Sequence, residues 1–453
     1  MSKESKTYKN MPKKIFIRTF GCQMNKRDSQ MILSCLLTDG FVVSDGIEDA
    51  DVVLFNTCSV REHAQNRAIE YAKDVISKKP GAVVGLVGCS VQLLREEVFE
   101  KIPGLSFACG PDDTGLMGNI IQRVINGEKN ILEVGRNYPD NTSISVNSKV
   151  SAFVNIAKGC ENFCSYCVVP YARGKLKNRP VQEIVREIKD LTNKGVKEVT
   201  LLGQNVSAYK YQECDFTELL KIINKETDIK RIRFLTSHPR DVDEKLLKTI
   251  AELPNVCEHI HLPLQSGSDR ILTLMNRGYT REYYLKLIEK CKSIIPQCSI
   301  TTDIIVGFPS EKDTDFKDTI SVLKQIRFDG AFVYKYSTRK GTSAYNLSDD
   351  VSINDKKSRH RVALDLVSSI AKYNLRRLIG TEQEVLVEKI VKKSIDANIW
   401  AKGHTRKNRN IVFPVDRFTP LDSLPYPTRF IPGQIFNVLV KDVHNCTLVG
   451  YCL

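Results

Sequence analysis

Short apolar runs alternate with helix-like segments over most of this 453-residue chain. The first three runs are "KIFIRTFGC", "DVVLFNTC" and "AVVGLVGC", and polar or helix-like stretches such as "REHAQNRAIEYAKDVISKK" follow them. Apolar runs that alternate with helices are typical of βαβ units and a parallel sheet. The sequence therefore predicts an N-terminal parallel-sheet α/β domain at 13–130.

Each of these runs ends in a cysteine. Cys22, Cys58 and Cys89 are 36 and 31 residues apart, close to the length of one βαβ repeat. The carboxyl ends of strands lie along one edge of an open parallel sheet, so three thiols from distant sequence would meet there. For any one position, simple burial of a small residue is the better interpretation. Three equivalent strand ends favour a shared set of metal or cluster ligands.

A second α/β series follows a segment at 130–150 that is rich in Asn, Ser and Asp and is predicted to be a linker. Its six strand candidates are "AFVNIAKGC", "EVTLLGQN", "RIRFLTSHP", "HIHLPLQSG", "SITTDIIVGFP" and "GAFVYKYS". One intervening helix has an apolar face made of Val181, Ile184, Val185, Ile188 and Leu191, and Gly195 can terminate it. Six repeats predict a partial (β/α)6 barrel at 146–376, with its chemistry at the carboxyl ends of the strands.

From about 379 the pattern changes to short strands without helices. The runs "EVLVEKI", "NIWAKGHT", "NIVFPV" and "IFNVLVKDV" predict a small antiparallel β-barrel at 379–447. The stretch "KGHTRKNRNIVF" brings basic and aromatic residues together: Lys402, Arg406, Lys407 and Arg409 beside Trp400 and Phe413. This composition favours phosphate contacts and base stacking on RNA, and a solvated basic face is the alternative.

Charge and composition narrow the function classes. The formal net charge of +14 suggests a polyanionic partner. The N-terminus "MSKESKTYKNMPKK" has no apolar signal segment, and no later apolar run is long enough to cross a bilayer, so we expect a cytoplasmic protein with no membrane partner. Disulfides are rare in that compartment, and 14 cysteines are better explained by metal binding, catalysis or burial.

The stretch "GCENFCSYC" spaces Cys160, Cys164 and Cys167 at intervals of four and three. Structural zinc needs four ligands, usually as two C-x2-C pairs, and the sequence nearby has no second pair. Three thiolates can instead hold a 4Fe-4S cluster and leave its fourth iron open. The missing fourth cysteine is then the functional feature, a coordination position for a substrate or cofactor.

The motif C-x3-C-x2-C after the first strand of a β/α barrel resembles that of the radical S-adenosylmethionine enzymes. The resemblance implies that Cys160, Cys164 and Cys167 hold a 4Fe-4S cluster, and that S-adenosylmethionine binds its open iron and yields a 5'-deoxyadenosyl radical. Gly203 and Gln204 of "LLGQN" would take the place of a Gly-rich turn against the methionyl group. Gln204 replaces the acidic residue often seen there, and a turn that serves only strand-to-helix geometry is the alternative.

The order of motifs is similar to that of the methylthiotransferase family. Its N-terminal domain matches "TFGCQMN", "NTCSVRE" and "VGC", its radical domain matches "GCENFCSYCVVPYARG", and its TRAM domain matches the β-rich tail. The chain is most similar to the MiaB branch, the tRNA-2-methylthio-N6-dimethylallyladenosine synthases. The resemblance implies that Cys22, Cys58 and Cys89 bind a second 4Fe-4S cluster, and it names no catalytic residue beyond the cluster ligands.

The reaction that this resemblance implies is methylthiolation at carbon 2 of N6-dimethylallyladenosine, next to the anticodon of tRNA. One S-adenosylmethionine would methylate a sulfur on the second cluster, and another would supply the radical. The expected partners are the tRNA anticodon loop, whose bases can be splayed into a pocket, and an electron donor such as flavodoxin or ferredoxin. We expect a monomer.

Two other functions compete with this interpretation. The same chemistry could act on threonylcarbamoyladenosine in tRNA or on an aspartate of a ribosomal protein. A protein of another class, a non-catalytic iron-sulfur protein that binds RNA or senses iron, would show the same cysteine spacing.

Several other residues have alternative interpretations. His259 and His261 alternate on a predicted strand without a third ligand, which favours a structural or substrate-contact role over metal binding. Arg173 could contact a carboxylate or phosphate, or cap its local turn. The other eight cysteines show no ligand spacing and are expected to serve packing: Cys35, Cys109, Cys214, Cys257, Cys291, Cys298, Cys446 and Cys452.

Overall fold

The computed structural model describes residues 13–60, 62–135, 150–392, 399–415 and 432–453. Most of the linker predicted at 130–150, and Arg61 of the motif "NTCSVRE", lie outside this range. In the described part of the chain, no helix is both long and apolar enough to span a membrane. The chain divides into two compact units, and the first joins the N-terminal part to Lys158–Glu161 and Cys167–Leu176.

The first unit contains a six-stranded sheet with the order β2-β1-β3-β4-β5-β6, and every pair is parallel. The strands are β1 (Lys14–Thr19), β2 (Val42–Val43), β3 (Val52–Thr57), β4 (Val83–Gly88), β5 (Phe107–Cys109) and β6 (Ile131–Glu133). The parallel sheet predicted from the first three apolar runs is confirmed. Its last strand, β6, begins one residue after the predicted domain end at 130.

Helices cover both faces of this sheet. The helices of this unit are α1 (Gln23–Thr38), α2 (Glu62–Lys78), α3 (Cys89–Leu94), α4 (Glu97–Lys101), α5 (Met117–Ile125) and α6 (Val169–Arg173), the last of which packs against α3. Side chains of β3 alternate between two apolar cores: Val53 and Phe55 pack in the core that contains α2, whereas Val52 and Leu54 pack in the core that contains α1 and α5. A central strand buried on both faces explains its continuous apolar run.

The second unit begins with the partial barrel. The strands that follow β6 along the chain are β7 (Ser151–Asn155), β8 (Ala157–Lys158), β9 (Lys177–Asn178), β10 (Glu198–Leu202), β11 (Lys210–Tyr211), β12 (Cys214–Asp215), β13 (Arg231–Phe234), β14 (His259–His261), β15 (Ser299–Val306) and β16 (Gly330–Lys335). Six of them form two parallel sheets, β13-β10-β7 and β14-β15-β16. An isolated parallel bridge between Ile232 and Val256 links β13 to the segment before β14. All six predicted strands are confirmed.

Helices alternate with these strands. They are α7 (Val181–Asn193), α8 (Phe216–Glu226), α9 (Glu244–Glu252), α10 (Asp269–Leu274), α11 (Arg281–Ile294), α12 (Asp313–Ile326) and α13 (Ile353–Arg376). The apolar face predicted for α7 is buried as expected. The chain leaves this helix through Gly195, whose φ of +94° favours glycine.

The C-terminal strands close into a five-stranded barrel of order β17-β18-β19-β21-β20. They are β17 (Glu382–Lys392), β18 (Ile399–Thr405), β19 (Asn410–Pro414), β20 (Ile435–His444) and β21 (Thr447–Cys452). The last strand was not among the four predicted, and it begins where the predicted domain ends. One detail differs from the antiparallel prediction, because β19 and β21 are parallel. Strand directions cannot alternate around a closed ring with an odd number of strands.

Candidate iron-sulfur centres

Three neighbouring parallel strands of the first unit end in the predicted cysteines. Cys22 directly precedes α1, Cys58 follows β3, and Cys89 is the first residue of α3 directly after β4. The thiols of Cys22 and Cys58 are hydrogen-bonded to each other, and Cys58 and Cys89 are buried. Cys89 is close enough for its charge to raise the pKa of Cys58. The structure therefore brings together three residues that are distant in sequence, as their strand-end positions predicted.

The electrostatic environment distinguishes the three thiols. The hydrogen bond from Cys58 lowers the pKa of Cys22 to about 6, against the effect of burial. The same bond raises the pKa of Cys58, and burial raises the pKa of Cys89. Cys22 is thus the one cysteine of the three whose pKa is lowered, and the thiolate is the form in which cysteine binds metal.

Gly21 allows this close approach. Its φ is +111°, and a Cβ placed there would lie 2.2 Å from the Cβ of Cys58. A larger residue before Cys22 would therefore push Cys58 away. This steric demand explains the glycine in "TFGC".

A buried polar layer lies under the trio and was missed by the sequence interpretation. The Cys22 thiol donates to Asn25 Oδ1 over 3.4 Å, and Asn25 Nδ2 donates to Asn56 Oδ1 over 3.2 Å. Asn56 Nδ2 in turn donates to Ser29 Oγ over 2.9 Å. Asn25 lies in the motif "QMN" and Asn56 in "FNT", so two buried amides beside the cysteines were the available signal.

Arg173 reaches the same layer from helix α6. Its Nη2 lies 2.6 Å from Asp28 Oδ2, and its Nε donates to Cys89 Sγ over 3.0 Å. The predicted alternative that Arg173 contacts a carboxylate is confirmed, and that carboxylate belongs to the protein.

The loop with Cys160, Cys164 and Cys167 follows the first strand of the partial barrel, as predicted. Its start is fixed by Gly159, whose φ is +82° and where a Cβ would lie 2.1 Å from the carbonyl oxygen of Lys175. Cys160 N donates to Gly174 O over 3.2 Å. Cys164 is buried, and its Sγ accepts a hydrogen bond of 3.2 Å from Arg277 Nη1.

Part of this loop belongs to the compact unit that holds the other trio. Cys160 and Cys167 are counted in the first unit, together with Cys22, Cys58 and Cys89. Helix α6, which begins two residues after Cys167, packs against helix α3, which begins at Cys89. Two cysteines of the loop and the strand-end trio therefore share one compact body.

The donor set suits iron-sulfur clusters. No group of three or more His, Cys, Asp or Glu side chains in the described segments is arranged to hold a metal ion. A 4Fe-4S cluster carries its thiolates on different irons, so its ligands need not converge on one point. Each trio contains a buried cysteine whose sulfur accepts an arginine N–H, Cys89 and Cys164, and such donors are common around cluster sulfurs.

Gly203 and Gln204 directly follow β10. A Cβ at Gly203 would lie 3.3 Å from Val206 Cγ1 and 3.5 Å from the Cβ of Ala157. The backbone is closely packed at this strand end, and a role of the two residues in cofactor binding stays a prediction.

His259 and His261 lie on one face of β14, as their spacing predicted. Both rings are hydrogen-bonded to Thr301 Oγ1, at 3.1 and 3.0 Å. Burial lowers the pKa of His259 to about 3, so that ring is neutral. His261 Nε2 also lies 3.3 Å from Asp303 Oδ2. The contacts of His259 agree with the structural interpretation.

The basic cluster of the small barrel is largely engaged inside the second unit. Arg406 pairs with Glu258 at 2.8 Å, Arg409 pairs with Asp329 at 2.7 Å, and Lys407 Nζ donates to Gln297 over 2.6 Å. Phe413 is fully buried in the core of the small barrel. The prediction that Phe413 stacks on a base is wrong, because alternation on β19 turns its side chain inward.

The remaining cysteines show that a strand-end position alone does not make a ligand. Cys109 ends β5, the neighbour of β4, yet it is fully buried in an apolar core and burial raises its pKa well above the usual range. Cys257 and Cys291 are also buried, Cys446 is exposed, and the others are intermediate. For the buried cysteines, this agrees with the predicted packing role.

Comparison with known families and structures agrees with this geometry. The Radical SAM superfamily matches residues 154–323, and Uncharacterized protein family UPF0004 matches residues 14–110. A radical S-adenosylmethionine methyltransferase, TsrM from Kitasatospora setae, solved with cobalamin and a 4Fe-4S cluster, has a TM-score of 0.57 at 13% identity over 74% of this chain and 77% of that chain. The fold and the three-cysteine loop thus define a radical S-adenosylmethionine protein.

Relatives that align with nearly the whole chain identify the family within this class. The tRNA-2-methylthio-N(6)-dimethylallyladenosine synthase of Thermodesulfovibrio yellowstonii is 41% identical over 96% of this chain and 98% of its own length. That of Syntrophus aciditrophicus is 39% identical over 97% of this chain and 95% of its own length. The chain therefore belongs to the family of tRNA-2-methylthio-N(6)-dimethylallyladenosine synthases, and the predicted family is confirmed.

Proposed function

We propose that this protein methylthiolates carbon 2 of N6-dimethylallyladenosine beside the anticodon of tRNA. It is a radical S-adenosylmethionine enzyme of a family that uses two 4Fe-4S clusters. The observation that carries the proposal is the contact of Arg173, six residues after Cys167, with the sulfur of Cys89. A sulfur-carrying centre must lie beside the source of the radical, and this contact joins the two cysteine segments.

Each residue set has its own role in this proposal. Cys160, Cys164 and Cys167 would hold the cluster whose open iron takes S-adenosylmethionine, and Gly203 and Gln204 would lie against the methionyl group. When bound, this cofactor pair supplies the 5'-deoxyadenosyl radical. Cys22, Cys58 and Cys89 would hold the second cluster, with the sulfur to be transferred.

The inner face of the partial barrel has a surface that suits a nucleobase. Asp303 and Phe332 are register partners on parallel strands, so their side chains share one face. Phe332 is 57% exposed, and its ring stacks on Tyr334 with centroids 6.5 Å apart and planes 18° from parallel. The His261 ring meets Phe332 edge-on at 6.4 Å.

This surface has the chemistry of adenine recognition. Buried side chains of β15 alternate with partly exposed ones, and Asp303 is among the partly exposed. An exposed aromatic ring would stack on the base, and the Asp303 carboxylate would accept the N6–H of the modified adenine. We therefore place the base against Phe332, in the role that buried Phe413 cannot take.

Nucleoside mass spectrometry tests the function. We expect tRNA from a deletion strain to lack 2-methylthio-N6-dimethylallyladenosine, and the wild-type gene to restore it where a Cys160→Ala gene does not. Unchanged modification in the deletion strain would exclude the proposal. Loss of a methylthio group from threonylcarbamoyladenosine or from a ribosomal aspartate would indicate the related enzymes instead. A non-catalytic protein would form no 5'-deoxyadenosine from S-adenosylmethionine after reduction.

Three further predictions belong to this proposal. The electron donor would be a small redox protein such as flavodoxin or ferredoxin, the enzyme would act as a monomer, and it would work in the cytoplasm. Sedimentation of the reconstituted protein, and 5'-deoxyadenosine formation with each donor, check the first two.

A further inference from the structure

A single buried cation connects the two cysteine segments. Arg173 ends helix α6 and is only 4% exposed. Its guanidinium contacts Cys89 Sγ at 3.0 Å, Asp28 Oδ2 at 2.6 Å and Asn25 Oδ1 at 3.4 Å. Asn25 also accepts the hydrogen bond of the Cys22 thiol. The cation therefore contacts the proposed ligand Cys89 directly and is linked to the proposed ligand Cys22 through Asn25.

Guanidinium is suited to this position because it stays charged and offers five N–H donors in a rigid fork. Hydrogen bonds and positive charge at the sulfurs of an iron-sulfur cluster stabilise its more negative, reduced state. The Asp28 carboxylate holds the fork in place and partly neutralises its charge. The reduction potential of the cluster therefore depends on both charges, the positive charge of Arg173 and the negative charge of Asp28.

We infer that Arg173 is a positioning residue that fixes the Cys89 thiolate and raises the reduction potential of the cluster bound by Cys22, Cys58 and Cys89. The inference rests on the proposed function, because it assumes that this trio binds a cluster. A sulfur atom added to that cluster for transfer brings further negative charge, which the same cation stabilises.

A purely structural ion pair makes a different prediction. If Arg173 and Asp28 only hold α6 against the sheet, removing either side chain breaks the same pair and has the same consequence. If the charges act on the cluster, removing the cation lowers the potential, whereas removing the carboxylate raises it. The direction of the shift therefore separates the two roles.

The experiment uses the full-length chain with Cys160, Cys164 and Cys167 replaced by Ala, so that only one cluster can form. This background and its Arg173→Gln, Arg173→Lys and Asp28→Asn variants are reconstituted anaerobically, their iron is counted, and their potentials are measured by titration with EPR detection. Arg186→Gln, an exposed arginine on α7, is the matched control.

For Arg173→Gln we expect a negative shift equivalent to about tenfold in the ratio of reduced to oxidised cluster, or about 59 mV for one electron. Asp28→Asn should shift the potential positively, Arg173→Lys should fall between Arg173→Gln and the background, and Arg186→Gln should match the background. Shifts of the same sign in Arg173→Gln and Asp28→Asn, or none, with iron retained would overturn the inference. If Arg173→Gln loses its iron, the other two variants are compared. A negative shift of the potential in Arg173→Lys with a positive shift in Asp28→Asn supports the inference, and shifts of the same sign, or none, overturn it. A background that binds no iron overturns the proposed cluster site itself, and the inference with it.

Discussion

Arg277 Nη1 donates a hydrogen bond of 3.2 Å to Cys164 Sγ inside the second unit. Arg277 is 4% exposed, and its Nη2 also donates to Pro263 O over 2.9 Å. Cys164 is the middle cysteine of the loop proposed to hold the radical-generating cluster. The contact thus has the same chemistry as that of Arg173 with Cys89, on the other trio.

We expect Arg277→Met to weaken the cluster on this loop. The substitution removes the donor to the Cys164 sulfur and one of the two donors to the Pro263 carbonyl, whose other donor is the Tyr279 hydroxyl. In a background with Cys22, Cys58 and Cys89 replaced by Ala, iron should pass to a chelator about tenfold faster, as is typical when a supporting hydrogen bond is lost. Arg281→Met, which removes an ion pair with Asp318, is the control. Equal rates of iron loss in the two variants would contradict the assigned role.

Metal counting tests the two trios themselves. After anaerobic reconstitution the wild-type protein should bind about eight irons, and each triple Cys→Ala variant about four, because a cluster that loses all its protein thiolates is not held. The prediction fails if either variant keeps the wild-type iron content. A triple variant of Cys109, Cys257 and Cys291, which are buried outside both trios, should keep about eight if it folds.

Gly21→Ala should abolish the second cluster. The positive φ and the 2.2 Å approach to the Cβ of Cys58 mean that the new methyl group must displace that cysteine. We expect about four irons instead of about eight. Gly115→Ala is the matched control, because nothing lies within 4 Å of its added Cβ. Full iron content in Gly21→Ala would show that the strand end adapts.

The attachment of the small barrel should depend on pH. Although burial opposes it, the hydrogen bond from His404, helped by Arg233, lowers the pKa of Glu198 to about 2. Although burial opposes this too, Glu198 and Glu388 raise the pKa of His404. Glu198 therefore contributes stability above its unfolded pKa of about 4.3 that is lost as the pH falls toward 2. His404 contributes stability below about pH 6.5 that is lost as the pH rises through its higher folded value.

Denaturant unfolding as a function of pH measures both contributions. Glu198→Gln should cost about 3 kcal/mol at pH 6, because it leaves Arg233 and His404 without their buried partner. Its deficit relative to wild type should shrink below pH 4 and also above the folded pKa of His404. A deficit that is constant from pH 3 to 9 would mean that the network contributes no charge-dependent stability.

Phe332→Ala should weaken tRNA binding and leave the cofactor chemistry intact. Loss of one aromatic stacking partner costs about 1–3 kcal/mol per base, so we expect KM for tRNA to rise about tenfold or more. Formation of 5'-deoxyadenosine without tRNA should match wild type. Tyr373→Ala, an exposed aromatic on α13, is the control. An unchanged KM in Phe332→Ala would remove the barrel face from the substrate site.

Local patterns predicted the strands and helices and the convergence of Cys22, Cys58 and Cys89, because period and strand-end position are properties of short segments. The side chains that contact the proposed ligand cysteines were not predictable. Arg173 and Asp28 are 145 residues apart in sequence, and Arg277 and Cys164 are 113 apart. The partners of the basic stretch around Arg406 were unpredictable for the same reason, because Glu258 and Asp329 are distant in sequence. Composition does not reveal whether a cation faces a phosphate or a carboxylate of its own chain.

The small barrel contacts the partial barrel at the starts of the partial-barrel strands. Glu258 and Asp329, the partners of Arg406 and Arg409, directly precede β14 and β16, and Arg231, the first residue of β13, donates to the carbonyl of His404. Chemistry in such barrels takes place where the strands finish. The six residues of β16 measure about 20 Å end to end. For a tRNA that binds the small barrel, the length of these strands would set the distance to the edge where the chemistry is expected. That distance would decide which nucleotide can reach the proposed site.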